Sequence, residues 1–472
     1  MRSRLTKKDG IALCIVLAVY LCIAVITGLY HEPWADEAQC WLLARDNDIF
    51  GIILAERYEG TLPTWHFIIK FFQFIGLPYD YFFVIPVLIT SIGIILLFLT
   101  DAPFISKILL PFSFYVIYQE SVVARQYCLI FPAMMLIVLT FKDRKSKPVR
   151  FFLSLFAILS TSSYGVVISC SFMLWEFICL VKDHFSREKS DEAALSSRYR
   201  ITFWASSIVL VSIIFLSIPP DDCSFGAVFN HNIIISATAT FLCYVDNVLW
   251  GILFLISFIA ALIIYFRHNI IQILVYIVPL TLYLFVFYHQ RWHLPYLFFL
   301  VVSLMIIFKD KADLVINKDR KPLNLILSTY FIVLLVIQCA CGIYSCYLDY
   351  CKPYYPAKKM AEFIKPYVDS GATIDGFGFL PVSVKPYFDR EIYANNPSDK
   401  RYYIWSVNYS YYELSSPPAD IIVASYEGFD DPDDLYDMIT FEGYAIYKFS
   451  AINENNLSIY VRKDLNTVTD RS

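Results

Sequence analysis

The sequence predicts an α-helical polytopic membrane protein of about eleven transmembrane helices, with juxtamembrane helices in the first outer loop and a small C-terminal α/β extracytoplasmic domain. Three observations carry this. Of 472 residues, 58% are apolar and 17% charged, with a mean hydropathy of +0.56, against about 45–50% and about 25% in soluble domains. Apolar runs, several of them short for a span, recur up to Cys341, and Lys and Arg are distributed unevenly between them. That much apolar surface cannot be hidden in one soluble core, and the same composition excludes disorder, collagen and coiled coil.

The first run, 11–29, follows Arg2, Arg4, Lys7 and Lys8. It resembles a signal peptide only superficially: it is long enough to span, and no small-x-small cleavage site follows. It reads as a retained first span with a cytoplasmic N-terminus. Ten further spans are expected at 81–99, 106–118, 127–141, 151–162, 164–181, 201–218, 244–266, 270–288, 294–308 and 323–341. Alternating sides from the first span puts 21 Lys/Arg in the segments then cytoplasmic and 5 in the outer loops, as the positive-inside rule requires. The chain is thus expected to be a multi-pass plasma-membrane protein with its C-terminus outside.

After Cys341 the composition turns polar, dividing the chain into a membrane domain, 1–342, and an extracytoplasmic domain, 343–472. Tyr344, Tyr347, Tyr350, Tyr354 and Tyr355 crowd the exit like an interfacial belt. Residues 356–369 read as an amphipathic helix with Met360, Phe363, Ile364 and Tyr367 on one side. Strands are expected at 372–377, 421–425, 444–450 and 457–462. The acidic run from Asp430 to Asp434 with Asp437 lacks EF-hand spacing and reads as a solvated turn.

A net charge of −4 offers no basic surplus for nucleic acid. Most of the 12 cysteines lie inside apolar runs, with no CxxC pair or Cys/His cluster, so neither zinc nor redox chemistry is indicated. Three stretches hold the candidate chemistry. The first outer loop opens with His31-Glu-Pro-Trp34-Ala-Asp36-Glu37 and continues to Trp65-His66 and a short apolar helix, 67–75. The adjacent carboxylates suit acid–base work at the interface, or simply favour a helix start; His66 and the tryptophans fit interface anchoring equally well. The second outer turn contains Glu120, Arg125 and Tyr127, ionisable groups lodged between apolar helices, or else a mutual Glu120–Arg125 ion pair. The fifth, His289-Gln-Arg291-Trp292-His293, suits an anion, especially phosphate, or a snorkelling arginine. Beyond the first loop, Arg125 and Arg291 are the only Lys/Arg of the outer turns.

These landmarks resemble the GT-C superfamily of membrane glycosyltransferases, in particular the branch of protein O-mannosyltransferases and the lipid A aminoarabinose transferase. The acidic motif after the first span is matched by Asp36-Glu37, and the segment opening a juxtamembrane helix by Leu62-Pro-Thr-Trp-His66. Glu120 with Ala124-Arg125-Gln-Tyr127 and Arg291-Trp-His-Leu-Pro295 match two later elements, so the likeness covers roughly 1–308. It implies transfer of a sugar from a polyprenyl-phosphate donor to an acceptor hydroxyl of a lipid, glycan or protein. Asp36 would be the base and Glu37 its orienting neighbour. Arg125 and Arg291, supplemented by His289 and His293, would hold the donor phosphate, with Glu120, His66, Trp34 and Tyr127 as further substrate contacts. No cofactor is expected; a divalent metal held by Asp36, Glu37 and Glu120 is conceivable, yet the branch is not generally regarded as metal-dependent. The membrane lipids and the lipid-linked sugar are the expected partners. The competing reading is a transporter or flippase of a lipid-linked saccharide, disfavoured by the absence of a visible repeat.

Overall fold

The computed structural model describes residues 5–60, 62–185, 196–224, 233–243, 247–287, 291–309, 321–409, 413–425, 429, 431, 434–445, 453–454 and 456–465. Its helices are α1 (Lys7–Tyr30), α2 (Ala35–Asp46), α3 (Ile49–Glu59), α4 (Thr64–Phe74), α5 (Val84–Leu99), α6 (Phe104–Leu109), α7 (Ile130–Phe141), α8 (Pro148–Leu159), α9 (Ser163–Phe185), α10 (Ser197–Leu216), α11 (Ile233–Leu242), α12 (Val248–Phe266), α13 (Ile270–Leu282), α14 (Pro295–Ile307), α15 (Lys321–Cys351) and α16 (Ala357–Ser370). Among the described residues six stretches are long and apolar enough to cross a membrane: Lys7–Tyr30, Tyr79–Leu99, Ser163–Phe185, Ser197–Leu216, Val248–Phe266 and Leu325–Cys351. Five shorter apolar helices lie among them. The molecule is a helical membrane protein with a small sheet.

In the bundle α7 is central, packed on α5, α8 and α14, while α1 lies against α5 and α15. Small residues permit the close approaches, as in membrane helix packing generally. At Gly342 of α15 an added Cβ would stand 2.6 Å from Ile117 and 2.7 Å from the Phe112 carbonyl. The stretch expected as one span at 106–118 is instead α6, a 3₁₀ turn through Pro111 and a π-helical run, Phe114–Gln119. Proline removes a ladder donor there. Part of the expected loop before α12 is helical: α11 ends against α15, where the Thr240 carbonyl accepts from Tyr115 Oη at 3.1 Å and the Phe241 carbonyl from Gln338 Nε2 at 3.1 Å. Helix-end carbonyls that lack backbone partners are thereby satisfied.

Three helices follow α1. Asp48 caps α3 by accepting from the Gly51 amide at 2.7 Å, and Gly60, in the left-handed region at φ 65°, ends it. Helix α4 starts three residues earlier than the expected 67, at Thr64, and buries Trp65, His66 and Ile69. Helix α2 is buried on nearly every side because it is packed twice. Trp41 and Ala44 meet Trp65, Tyr79 and Phe82, while Leu42 and Leu43 meet Val382, Tyr402 and Tyr403 of the C-terminal region.

Helix α15 runs past the expected division at 342 to Cys351. Tyr344, Tyr347 and Tyr350 are exposed along it, but Tyr354 and Tyr355 are buried and join the C-terminal core instead of an interfacial belt. That core lies between α16 and a four-stranded sheet, β1 (Ile374–Phe377), β2 (Ile421–Ser425), β3 (Tyr436–Phe441) and β6 (Leu457–Arg462), in the order β1-β2-β6-β3. Only β1 and β2 are parallel, with Ile374 opposite Ile421. A separate two-stranded sheet pairs β4 (Tyr444–Ala445) with β5 (Asn453–Glu454); the rest of the expected strand 444–450 lies outside the described residues. Met360 and Ile364 face the core as the periodicity predicts, with Phe363 and Tyr367 at its margin. Asp437 lies in β3, and Asp431 turns the chain into that strand by accepting from the Leu435 and Tyr436 amides.

Candidate functional site

Asp36 and Glu37 occupy the first turn of α2, where carboxylates complement the helix dipole. Consecutive residues on a helix diverge, and these two part company. Glu37 is fully buried: Oε1 accepts from the Ala124 amide at 2.6 Å, and Oε2 from the Trp34 amide and His31 Nε2, both at 3.1 Å. Its work is structural, pinning the turn that carries Arg125 to the start of α2. His31 has its other ring nitrogen, Nδ1, 2.8 Å from Asp349 Oδ2, which also accepts from Tyr118 Oη at 3.0 Å. Burial opposes charge on the His31 ring, but the two carboxylates outweigh it and hold its pKa up at about 10.

Asp36 stays partly exposed and pairs with Arg125, Oδ2 to a guanidinium nitrogen at 3.3 Å. The same nitrogen donates to the Asp36 carbonyl at 2.8 Å and lies 3.5 Å from Cys40 Sγ. Burial raises the Asp36 pKa, Arg125 opposes this, and Glu37 adds to it. Burial works against charge on Arg125 too, but Asp36 above all, with Glu59 in support, raises its pKa. The Nε–H of Arg125 is buried and finds no acceptor among the described residues. The guanidinium lies over the Tyr127 ring, 6.0 Å from its centroid.

The fifth turn meets this place through aromatic contacts. Trp292 packs edge-on against Trp34 with ring centroids 5.7 Å apart, its carbonyl accepting from Gln119 Nε2 at 2.7 Å. His293 stands 5.9 Å from the Tyr127 ring and has Nδ1 2.7 Å from Tyr164 Oη. Arg291 begins the short helical turn Arg291–His293; its side chain, and His289 altogether, lie outside the described residues.

Glu120 is elsewhere. Its carbonyl accepts from Thr90 Oγ1 at 2.8 Å, and its carboxyl is buried in the bundle. The Glu120–Arg125 pair entertained from the sequence is replaced by Asp36–Arg125, because Glu120 is buried in the bundle while Arg125 reaches the start of α2. His66 is in contact with Glu56, and that carboxylate outweighs burial to hold its pKa up at about 10.

Sequence reasoning assigned no role to Gln39, Glu56 or Glu59. Gln39 sits one turn after Asp36 and is buried. It donates 2.7 Å bonds to Glu59 Oε1 and the Tyr403 carbonyl, and accepts from the Tyr403 amide at 2.7 Å. Burial, then repulsion from Glu56, raises the Glu59 pKa to about 7, against the pull of Gln39, Arg125 and His66. The i, i+3 spacing of Glu56 and Glu59, like that of Asp36 and Gln39, was the available signal. Among the described residues no group of three or more His, Cys, Asp or Glu is arranged to hold a metal ion.

No family model, no curated protein and no solved structure matches the chain. Its class is set by the structure alone: a helical membrane protein whose first long loop, second turn and C-terminal region close around one ion-paired acid–base cluster.

Proposed function

We propose that the chain is a GT-C-like glycosyltransferase that moves a sugar from a polyprenyl-phosphate carrier to an acceptor hydroxyl at the outer membrane face. The accompanying topology has eleven spans and a cytoplasmic N-terminus, a reading supported by the 21-to-5 partition of Lys and Arg. The observation that carries the functional reading is the Asp36–Arg125 pair: a partly exposed carboxylate 3.3 Å from a guanidinium whose buried Nε–H has no acceptor among the described residues.

Those two groups suit the two charges the reaction moves. Arg125 offers its Nε–H to a phosphate oxygen and offsets the charge that grows as the glycosidic C–O bond breaks. The phosphate departs as a stable anion, so no strong acid is needed. The acceptor oxygen attacks the anomeric carbon from the opposite face, and its proton passes to Asp36. One displacement inverts the anomeric centre. The aromatic pair Trp34–Trp292 borders the cluster and offers a face to a sugar.

The test is transfer of radiolabelled sugar from its polyprenyl phosphate by the purified protein in vesicles. Asp36→Asn is expected to lower turnover by about 10²–10⁴-fold with insertion intact, and Arg125→Ala to weaken donor binding. Undiminished transfer by Asp36→Asn removes it as base. Movement of the lipid-linked sugar across the bilayer with no bond cleaved replaces the reading with a transporter.

A further inference from the structure

Arg125 stands among more acids than it can neutralise. Asp36 is its direct partner, and Glu59 lies close enough for each to shift the other's proton affinity. Glu59 is set in place by Gln39. Because the Gln39 side-chain oxygen is taken by the Tyr403 amide, its NH₂ must point at Tyr403's carbonyl and at Glu59. The groups facing Glu59 are Glu56 on its own helix, His66 on α4, Arg125 on the turn before α7 and Tyr402 of the C-terminal region. The cluster sets three carboxyls, those of Asp36, Glu56 and Glu59, against two basic side chains, Arg125 and His66, so it holds one acid more than it can pair, and a proton on Glu59 removes that excess.

We propose that Glu59 is the proton-linked element of the anion site: a phosphodiester docks on Arg125 only as Glu59 takes up a proton. Glu59 touches no substrate; it is a positioning residue that acts through the charge of Arg125. The proposal rests on the reading of Arg125 as the donor-phosphate ligand. Burial and Glu56 bring Glu59 to about 7 without ligand, and an anion placed on Arg125 raises it further. Below neutrality Glu59 is already protonated and the anion binds freely. Above neutrality each binding event must draw a proton from solution, so affinity falls about tenfold per pH unit.

The test is calorimetric titration of the full-length protein in nanodiscs with farnesyl methyl phosphodiester, whose single charge does not titrate near neutrality. Buffers of different ionisation enthalpy report the protons taken up. Expected for the wild type is uptake approaching one proton at pH 8, little at pH 6, and an affinity about tenfold weaker at pH 8.5 than at 7.5. Glu59→Gln is expected to bind without uptake and with no pH slope, and Glu59→Asp to move the midpoint. Dimethyl phosphate separates the sources: uptake with both compounds assigns the site to phosphodiester charge alone, uptake with the farnesyl ester only to a lipid headgroup, and either result supports the linkage. Wild-type binding without uptake, or a pH slope retained in Glu59→Gln, overturns it while leaving the phosphate site standing. A wild type that binds neither compound at pH 6 overturns both.

Discussion

His31 bridges two buried carboxylates. It joins Glu37 at the start of α2 to Asp349 near the end of α15, so one imidazolium ties the first loop to the last long helix. Removing it leaves two buried carboxylates facing each other, and His31→Gln is expected to cost about 3–5 kcal/mol. Its pKa is raised on folding from 6.5 to about 10. The stabilisation is therefore complete below pH 6.5 and is lost as pH climbs towards 10. Thermal unfolding of wild type and His31→Gln from pH 6 to 10.5 should show a gap that closes at the alkaline end; a gap constant with pH refutes the assignment. At this scale the sequence was legible where charge is rare. Arg125 stood out because few ionisable groups share the later outer turns, and Asp36 because it and Glu37 are adjacent carboxylates just after the first span. Glu59 and Gln39 did not, since among the ordinary polar residues of the first loop nothing short of the fold reveals that the Tyr403 amide fixes one and thereby the other.

Among the elements, the contact of α15 with the π-helical run depends on Gly342. The added methyl of Gly342→Ala meets Ile117 and the Phe112 carbonyl, and backbone cannot step aside as a side chain does. A loss of about 1–3 kcal/mol follows, accompanied by faster hydrogen exchange at 114–119; unchanged exchange there argues against the contact. Apolar periodicity found the long helices because they need no partner to be recognised. It missed α2, whose surroundings make nearly every face interior, and it joined α6 to the π-helical run because hydropathy carries no record of the ladder break at Pro111. Helix α11 escaped for a similar reason: ten residues are too few to read as a span, and its Thr240 and Phe241 carbonyls take donors from Tyr115 and Gln338, far away in sequence.

For the whole molecule, the polar fastenings of the C-terminal region to the first loop include the Gln39–Tyr403 pair and a fork in which the Arg401 guanidinium holds both Asp46 oxygens at 3.0 and 3.2 Å. Arg401→Ala is expected to cost about 1–3 kcal/mol and to raise hydrogen exchange in 402–406 more than in β2 or β6. Equal change throughout would mean that the fork stabilises the fold generally and does not act as a local clasp. The α16 helix and strands β2 and β6 were readable from alternation and helical spacing. Strand β3 was not, because Asp437 disguised its pattern as the continuation of an acidic turn. The Gln39–Tyr403 pair also sets an order of events in the cell. Synthesis must pass residue 403 before Gln39 is oriented and Glu59 is held, so a nascent chain whose first helices are already threaded into the bilayer lacks that arrangement until its C-terminal region follows.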